Sequence, residues 1–246
     1  MRITFLVNHD LPALLALNYL IPALKQHEIS VFFSKKKSSN KKIENLKLAE
    51  LAEFESRQLC QSTSLISFDE FGARELNKVN TLDYQKFADT KPELVVSIRY
   101  MTILKDRAIN TPRLGVINLH SGPLPAYQGV MATFWGLCNR ERHIGTTLHF
   151  IEDNKIDTGS IILASSTEAN YQRSYLWNVL NIYRAGCVNI MQAIKQLSLG
   201  EPLDASPQSD QVNYSQANYY SVPNPREIDD SGITLFSEQD TVAEFL

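Results

Sequence analysis

Apolar residues recur along the first half of this chain in two alternating rhythms. Continuous runs such as "RITFLVN" at Arg2–Asn8 give way to stretches in which they return every three or four positions. The runs predict buried strands over Arg2–Asn8, Ile29–Phe33, Leu94–Ile98 and Val116–Leu119. The periodic stretches predict helices over Leu11–Gln26, Ile43–Phe54 and, more briefly, Ile103–Asn110. In the first helix Leu14, Leu15, Leu17, Tyr19 and Leu20 supply the apolar side. "KKKSSNKK" from Lys35 to Lys42 interrupts the rhythm as a polar, basic loop, and the residues between the second helix and Leu82 read as irregular. Strands and helices alternating at this length predict an α/β fold with a doubly wound, mostly parallel sheet. Such sheets take ligands beyond the carboxyl ends of their strands.

From Ile144 the pattern changes to two adjoining strand-like runs around a turn at Asn154–Gly159. A connection that short permits an antiparallel hairpin but no parallel crossover, so the sheet should gain an antiparallel extension. Ser174–Leu199 predicts a long helix with Leu176, Val179, Leu180, Tyr183, Cys187, Ile190, Met191, Ile194 and Leu197 on one stripe, ended by Gly200 and Pro202. The stripe suits a core helix packed across the sheet; a homodimer seam is the sharper reading. The tail, "NYYSVPNPREI" and "GITLF" within it, suggests short strands or a hairpin. The expected organisation is therefore a catalytic domain over residues 1–200 and a short β appendage over 201–246.

Composition narrows the class. A chain of 246 residues, 43% of them hydrophobic, can bury a sizeable core. Its net charge of -3 argues against nucleic acid as the main partner. Cys60, Cys138 and Cys187 are odd in number and lack metal-ligand spacing. With no long apolar segment, the expectation is a reduced, cytoplasmic protein and no membrane partner.

The chemistry concentrates in two segments, "NLHSGPLP" from Asn118 and "IDTGS" from Ile156. Asn118 and His120 lie two apart, so on a strand they project from one face. Asp157 comes from a second strand end. Alone, each has a bland explanation: an Asn at a strand end forms turns, a His packs, an Asp before Thr-Gly caps a turn. Together they are the parts of an acyl transfer: an amide donor for an oxyanion, a base for an amine, and a carboxylate to orient the base. His120 suits the base because an unperturbed imidazole titrates near pH 6.5. His120, His143 and His149 fall on different predicted elements without convergent carboxylates, so no metal is expected.

"GVINLHSGPLPAYQGVMATFWGL" from Gly115 to Leu137 and "IGTTLHFIEDNKIDTGSIIL" from Ile144 to Leu163 resemble the core of the folate-dependent formyltransferases. The resemblance is near continuous from Pro92 to Leu163 and weaker outside. It implies the Rossmann-like formyltransferase fold, 10-formyltetrahydrofolate as formyl donor, an amine as acceptor, and Asn118, His120 and Asp157 as the catalytic residues. Ser121–Gly129 would then shape the formyl site, although relatives often carry Arg where Gln128 stands. The folate would lie against "SIRYMTIL" (Ser97–Leu104) and the loop Asp153–Asp157, with Tyr100, Met101, Leu104, Asp153 and Ile156 as contacts. Thr102 stands where purine-pathway members tend to carry Arg.

The acceptor separates the branches. Glycinamide ribonucleotide enzymes hold a phosphate in a Gly/Ser-rich first loop, whereas "VNHDLPALL" here contains no glycine. Methionyl-tRNA formyltransferases carry a further C-terminal domain. After Gly200 this sequence has a tail with one basic residue, Arg226, against nine acidic ones, a charge that would repel a phosphate backbone. What remains is a small amine, and the chain resembles the short nucleotide-sugar N-formyltransferases. That implies an amino-dideoxy sugar on a nucleoside diphosphate, with Lys78, Arg99, Tyr219 and Tyr220 as contacts to its base or pyrophosphate.

Overall fold

The structure, a computed structural model, describes residues 1–35, 45–212 and 214–246. Most of the basic run Lys35–Lys42 lies outside the described residues. In chain order the elements are β1 (Arg2–Asn8), α1 (Leu11–Leu20), β2 (Glu28–Ser34), α2 (Leu46–Gln61), β3 (Arg74–Glu75), α3 (Tyr84–Ala88), β4 (Leu94–Ile98) and α4 (Asp106–Ile109). Then follow β5 (Val116–His120), β6 (Gln128–Gly129), α5 (Ala132–Cys138), β7 (His143–Phe150), β8 (Ile161–Glu168), α6 (Tyr175–Ser198), β9 (Tyr219–Tyr220) and α7 (Pro225–Ser231). Among the described residues seven strands form one sheet in the order β3-β2-β1-β4-β5-β7-β8. It is parallel as far as β5 and antiparallel from β5 to β8, as the short turn before β8 requires.

The sheet divides the core unevenly, and strand parity assigns each residue its side. On one face Phe5, Val96, Ile117 and Leu119 meet α1, α2, α5 and α6 in the larger cluster. On the other, Leu6, Val95 and Val116 pack with Phe87, Leu104 and Ala108 in a much smaller one. Asn118 and His120 share the parity of Val116. They therefore sit on the thinly covered face, at the carboxyl end of a central strand.

Several sequence expectations need correction. Helix α1 ends at Leu20 and tightens into a 3-10 turn over Ile21–Leu24, because Pro22 has no N–H for a helical ladder. The second helix begins at Leu46, capped by Asn45, and continues to Gln61. The stretch before Leu82 contains the edge strand β3. Among the described residues the tail contains one short strand, β9, as expected, but no hairpin. "NPREI" is instead the start of α7, where Asn224 and Glu227 cap each other's backbone and Pro225 fits the first turn. "GITLF" forms no strand; the carbonyls of Thr234 and Leu235 accept the amides of Tyr175 and Leu176 at the start of α6. Ile228, Leu235, Val242 and Phe245 from the tail enter the larger core cluster. The α6 stripe faces that core, with Leu176, Val179, Leu180, Tyr183, Cys187, Ile190 and Ile194 all buried. No helix of the described residues is long and apolar enough to cross a membrane.

Candidate active site

The antiparallel register of β5 and β7 pairs Asn118 with His149 and His120 with Thr147, so all four project from the thin face. After β7 the chain loops through Asp153 and Lys155 and returns to β8. Asp157 lies in that return with φ of 54°, a left-handed conformation that aims its carboxylate back at the end of β5. The carboxylate is held on both oxygens. Oδ2 lies 3.3 Å from His120 Nδ1 and accepts the Gly129 amide at 2.9 Å. Oδ1 lies 3.4 Å from His149 Nε2 and 3.5 Å from Asn118 Nδ2. Burial alone would push this carboxyl up, but the charge of the His120 ring, the hydrogen bond and charge of His149 when the rings are protonated, and the Gly129 amide together hold it at about 2.

Partners fix the two imidazoles. His149 Nδ1 is 2.7 Å from the Phe150 carbonyl, which can only accept, so Nδ1 carries a proton. In the neutral ring Nε2 is then bare and takes a hydrogen bond from Asn118 Nδ2 at 3.1 Å. His120 Nε2 is 2.6 Å from the Tyr127 carbonyl and is likewise protonated. Its Nδ1, beside Asp157, is the nitrogen left to take up a proton. When it does, the contact to Asp157 becomes a charge-assisted hydrogen bond. His120 and His149, expected on different elements without a convergent carboxylate set, are brought together by the sheet on a single carboxylate. His143 stays apart, exposed at the start of β7. The strand pattern showed a polar residue at 149, but pairing it with Asn118 needs a register that local sequence does not carry.

These groups floor a cavity of about 360 Å³ at the carboxyl ends of β1, β4 and β5. Tyr100, Met101, Leu104, Asp153 and Ile156, the residues expected against folate, all line it, with Ile103 and Ile151 adding apolar wall. Met101 and Ile103 are each 52% exposed, an apolar surface open to a ligand. Tyr100 also packs against the smaller core and donates its hydroxyl to the Leu76 carbonyl, so part of its role is structural. Of the five described non-glycine residues with positive φ, Arg99, Met131 and Asp157 line this cavity, where such strain commonly concentrates.

The expected acceptor contacts scatter. Arg99 borders the cavity, but its Nε donates to Asp10 at 2.7 Å, so its charge is already matched. Asp10 also caps α1 through the Ala13 amide, occupying one helix-terminal donor that an anion could otherwise use. Lys78 is exposed outside the cavity lining. Tyr219 and Tyr220 do not line it either. They form β9, which pairs in parallel with Gln128–Gly129, and Tyr220 stacks between Tyr127 and Trp135. An added Cβ at Gly129, whose φ is 96°, would lie 2.2 Å from the Tyr220 carbonyl, so glycine is required for β9 to dock. Gln128, where an Arg was expected in relatives, donates to Gln208 at 3.1 Å.

Comparison with known proteins gives a consistent picture. Residues 1–175 match the family model described as formyl transferase. A methionyl-tRNA formyltransferase from Fusobacterium nucleatum is 26% identical over 187 residues, covering 74% of this chain and 57% of the relative. A GDP-perosamine N-formyltransferase from Brucella melitensis is 32% identical over 85 residues, 34% of this chain and 32% of the relative. The chain thus spans little more than half of the first relative and a third of the second. Among solved structures, an N-formyltransferase from Helicobacter canadensis in complex with folinic acid and dTDP-3-aminofucose superposes with a TM-score of 0.58 at 19% identity. That superposition covers 90% of this chain and 71% of the other and shows a shared fold.

Proposed function

This chain belongs to the formyl transferase family, and from that premise we propose that it moves the formyl group of 10-formyltetrahydrofolate to the amine of a nucleotide-linked amino-dideoxy sugar. The observation that carries the reading is the convergence of Asn118, His120, His149 and Asp157 on a cavity whose walls are Tyr100, Met101, Leu104, Asp153 and Ile156. A flat heteroaromatic donor suits those walls: apolar side chains cover its faces, and backbone groups of the two loops read its edge. The same cavity leaves its floor polar, where a formyl carbon would react.

In this reading the acceptor nitrogen bonds to the formyl carbon and the carbonyl oxygen gains negative charge. The amide of Asn118 donates to that oxygen. Its contact to Asp157 is long at 3.5 Å and is readily exchanged for a better acceptor. The attacking amine gives its proton to His120 Nδ1, directly or through one water, and the imidazolium is stabilised by Asp157 Oδ2. The proton passes to the departing folate nitrogen as its bond to carbon breaks.

Support for a sugar acceptor comes from the Brucella and Helicobacter relatives, one named for a GDP-sugar and the other bound to a dTDP-aminosugar. The acidic tail and the absence of glycine after β1 support it too. A methionyl-tRNA acceptor is the second reading, motivated by the Fusobacterium relative. Purified protein should be incubated with 10-formyltetrahydrofolate and a panel of nucleotide-linked aminosugars, with charged initiator tRNA in a parallel arm, and products read by mass for one added formyl group. Formylation of the tRNA with no sugar modified would reverse the assignment.

A further inference from the structure

Gln208 lies beyond residues 1–175, the part that matches the family model, yet it reaches the turn that carries Asp157. Its side chain is 4% exposed. Nε2 donates to the carbonyls of Asp157 at 2.7 Å and Gly159 at 3.0 Å, using both hydrogens. Oε1 accepts Gln128 Nε2 at 3.1 Å. Two flanking attachments hold Gln208 in place. Ser206 pairs with Ile161 through both backbone bonds, at 2.8 and 2.9 Å, and β9 pairs with Gln128–Gly129.

We infer that Gln208 is a positioning residue, which acts on the proposed formyl transfer by fixing the left-handed turn at Asp157. The need follows from the backbone. A non-glycine residue at φ of 54° relaxes unless its surroundings over-determine it. One buried amide group grips the carbonyl of the strained residue itself and that of Gly159, two residues on. Relaxation would swing the carboxylate away from His120 Nδ1, His149 Nε2 and the Gly129 amide together. Gln128 links this clamp to the loop that presents Gly129, so the tail controls both the carboxylate and one of its donors. The role rests on the reading of the site as a formyl-transfer centre, but the geometric claim can be read independently of turnover.

The test compares wild type, Gln208→Met, Asp157→Asn and the double variant. Methionine keeps the length and volume and removes both donors. Gln208→Met should lower kcat about 10- to 100-fold, with KM for the formyl donor within about threefold, as expected for a misplaced catalytic group. In the Asp157→Asn background it should have no further effect, whereas a merely structural contribution would multiply. In ¹⁵N-labelled protein without substrate, the ring signals of His120 and His149 should move in Gln208→Met in the direction seen for Asp157→Asn, while exposed His143 stays put. If Gln208→Met does not fold, Gln128→Met should produce a smaller shift of the same two signals. Unchanged histidine signals in either folded variant, or a multiplicative loss in the double variant, overturns the inference. An inactive wild type whose histidine signals still respond to Gln208→Met would overturn the proposed function and leave the positioning role intact.

Discussion

Asn118 and His149 face each other across the β5–β7 pair, with Asn118 Nδ2 donating to His149 Nε2 at 3.1 Å. The bond commits one amide hydrogen to the protein and leaves the group only a long second contact, 3.5 Å to Asp157 Oδ1. His149 is 1% exposed and its own tautomer is set by the Phe150 carbonyl, so the orientation is rigid. His149→Ala should lower kcat about 10- to 100-fold with little change in KM, because the amide loses its fixed direction while the cavity walls persist. Steady-state kinetics with a formylated folate checks this; an unchanged kcat would remove His149 from the site.

Asn118→Ala and His120→Ala should each reduce formyl transfer at least about 100-fold, through loss of the oxyanion donor and of the proton acceptor. Combined, they should cost less than the product of the two, since both serve one transition state. Circular dichroism should stay close to wild type for both, with thermal unfolding lowered in His120→Ala, which takes a partner from the buried Asp157 carboxylate. Turnover near wild type in either single variant would refute the role assigned to that residue.

Asp157 makes stability depend on pH with a definite sign. Its carboxyl is held at about 2 in the folded protein, below the ordinary Asp value of about 3.9 in an unfolded chain. The stabilisation is present above the unfolded value and is lost as pH falls through the folded one. The stability gap between wild type and Asp157→Asn should therefore narrow between about pH 4 and pH 2, by on the order of 2 kcal/mol. Urea denaturation across that range measures it. A gap that does not vary with pH would show that the carboxylate gains nothing from its neighbours.

Arg99→Ala should act mainly on the fold. It would leave the Asp10 carboxylate, 6% exposed, without its cationic partner, at a cost of about 3–5 kcal/mol. A large rise in KM for a nucleotide-linked acceptor without loss of stability would show instead that Arg99 serves the ligand.

Gly129→Ala tests the docking of β9 on Gln128–Gly129. A methyl group there meets the Tyr220 carbonyl and the Tyr219 ring, so β9 must detach or the loop must move. Loss of about 1–3 kcal/mol is expected, together with reduced kcat, because the Gly129 amide would leave Asp157 Oδ2. Equilibrium unfolding and kinetics on the same preparation separate the two effects.

Legibility followed locality. Strands β1 and β4 were readable to the residue because both their faces are buried, which writes a continuous apolar run into the chain. Helix α7 was missed although its Asn-Pro-x-Glu start was visible, since the preceding Tyr-Tyr-Ser-Val suggested a strand continuing through it. Helix α5 was missed because it is short and follows Met131, an N-cap residue in left-handed conformation that makes no side-chain cap.

The site divided in the same way. By itself the sequence determined the chemical parts: Asn118 and His120 on one strand face, Asp157 within a hairpin turn, and an α/β sheet to present them. These follow from alternation, spacing and turn residues, all of which act over a few positions. Only the tertiary structure decided that His149 stands opposite Asn118, that Arg99 is matched by Asp10, and that Gln208 grips the Asp157 turn from 51 residues away. Those pairings depend on strand register and on where distant segments dock. Both are set by the packing of the whole chain rather than by any stretch of it.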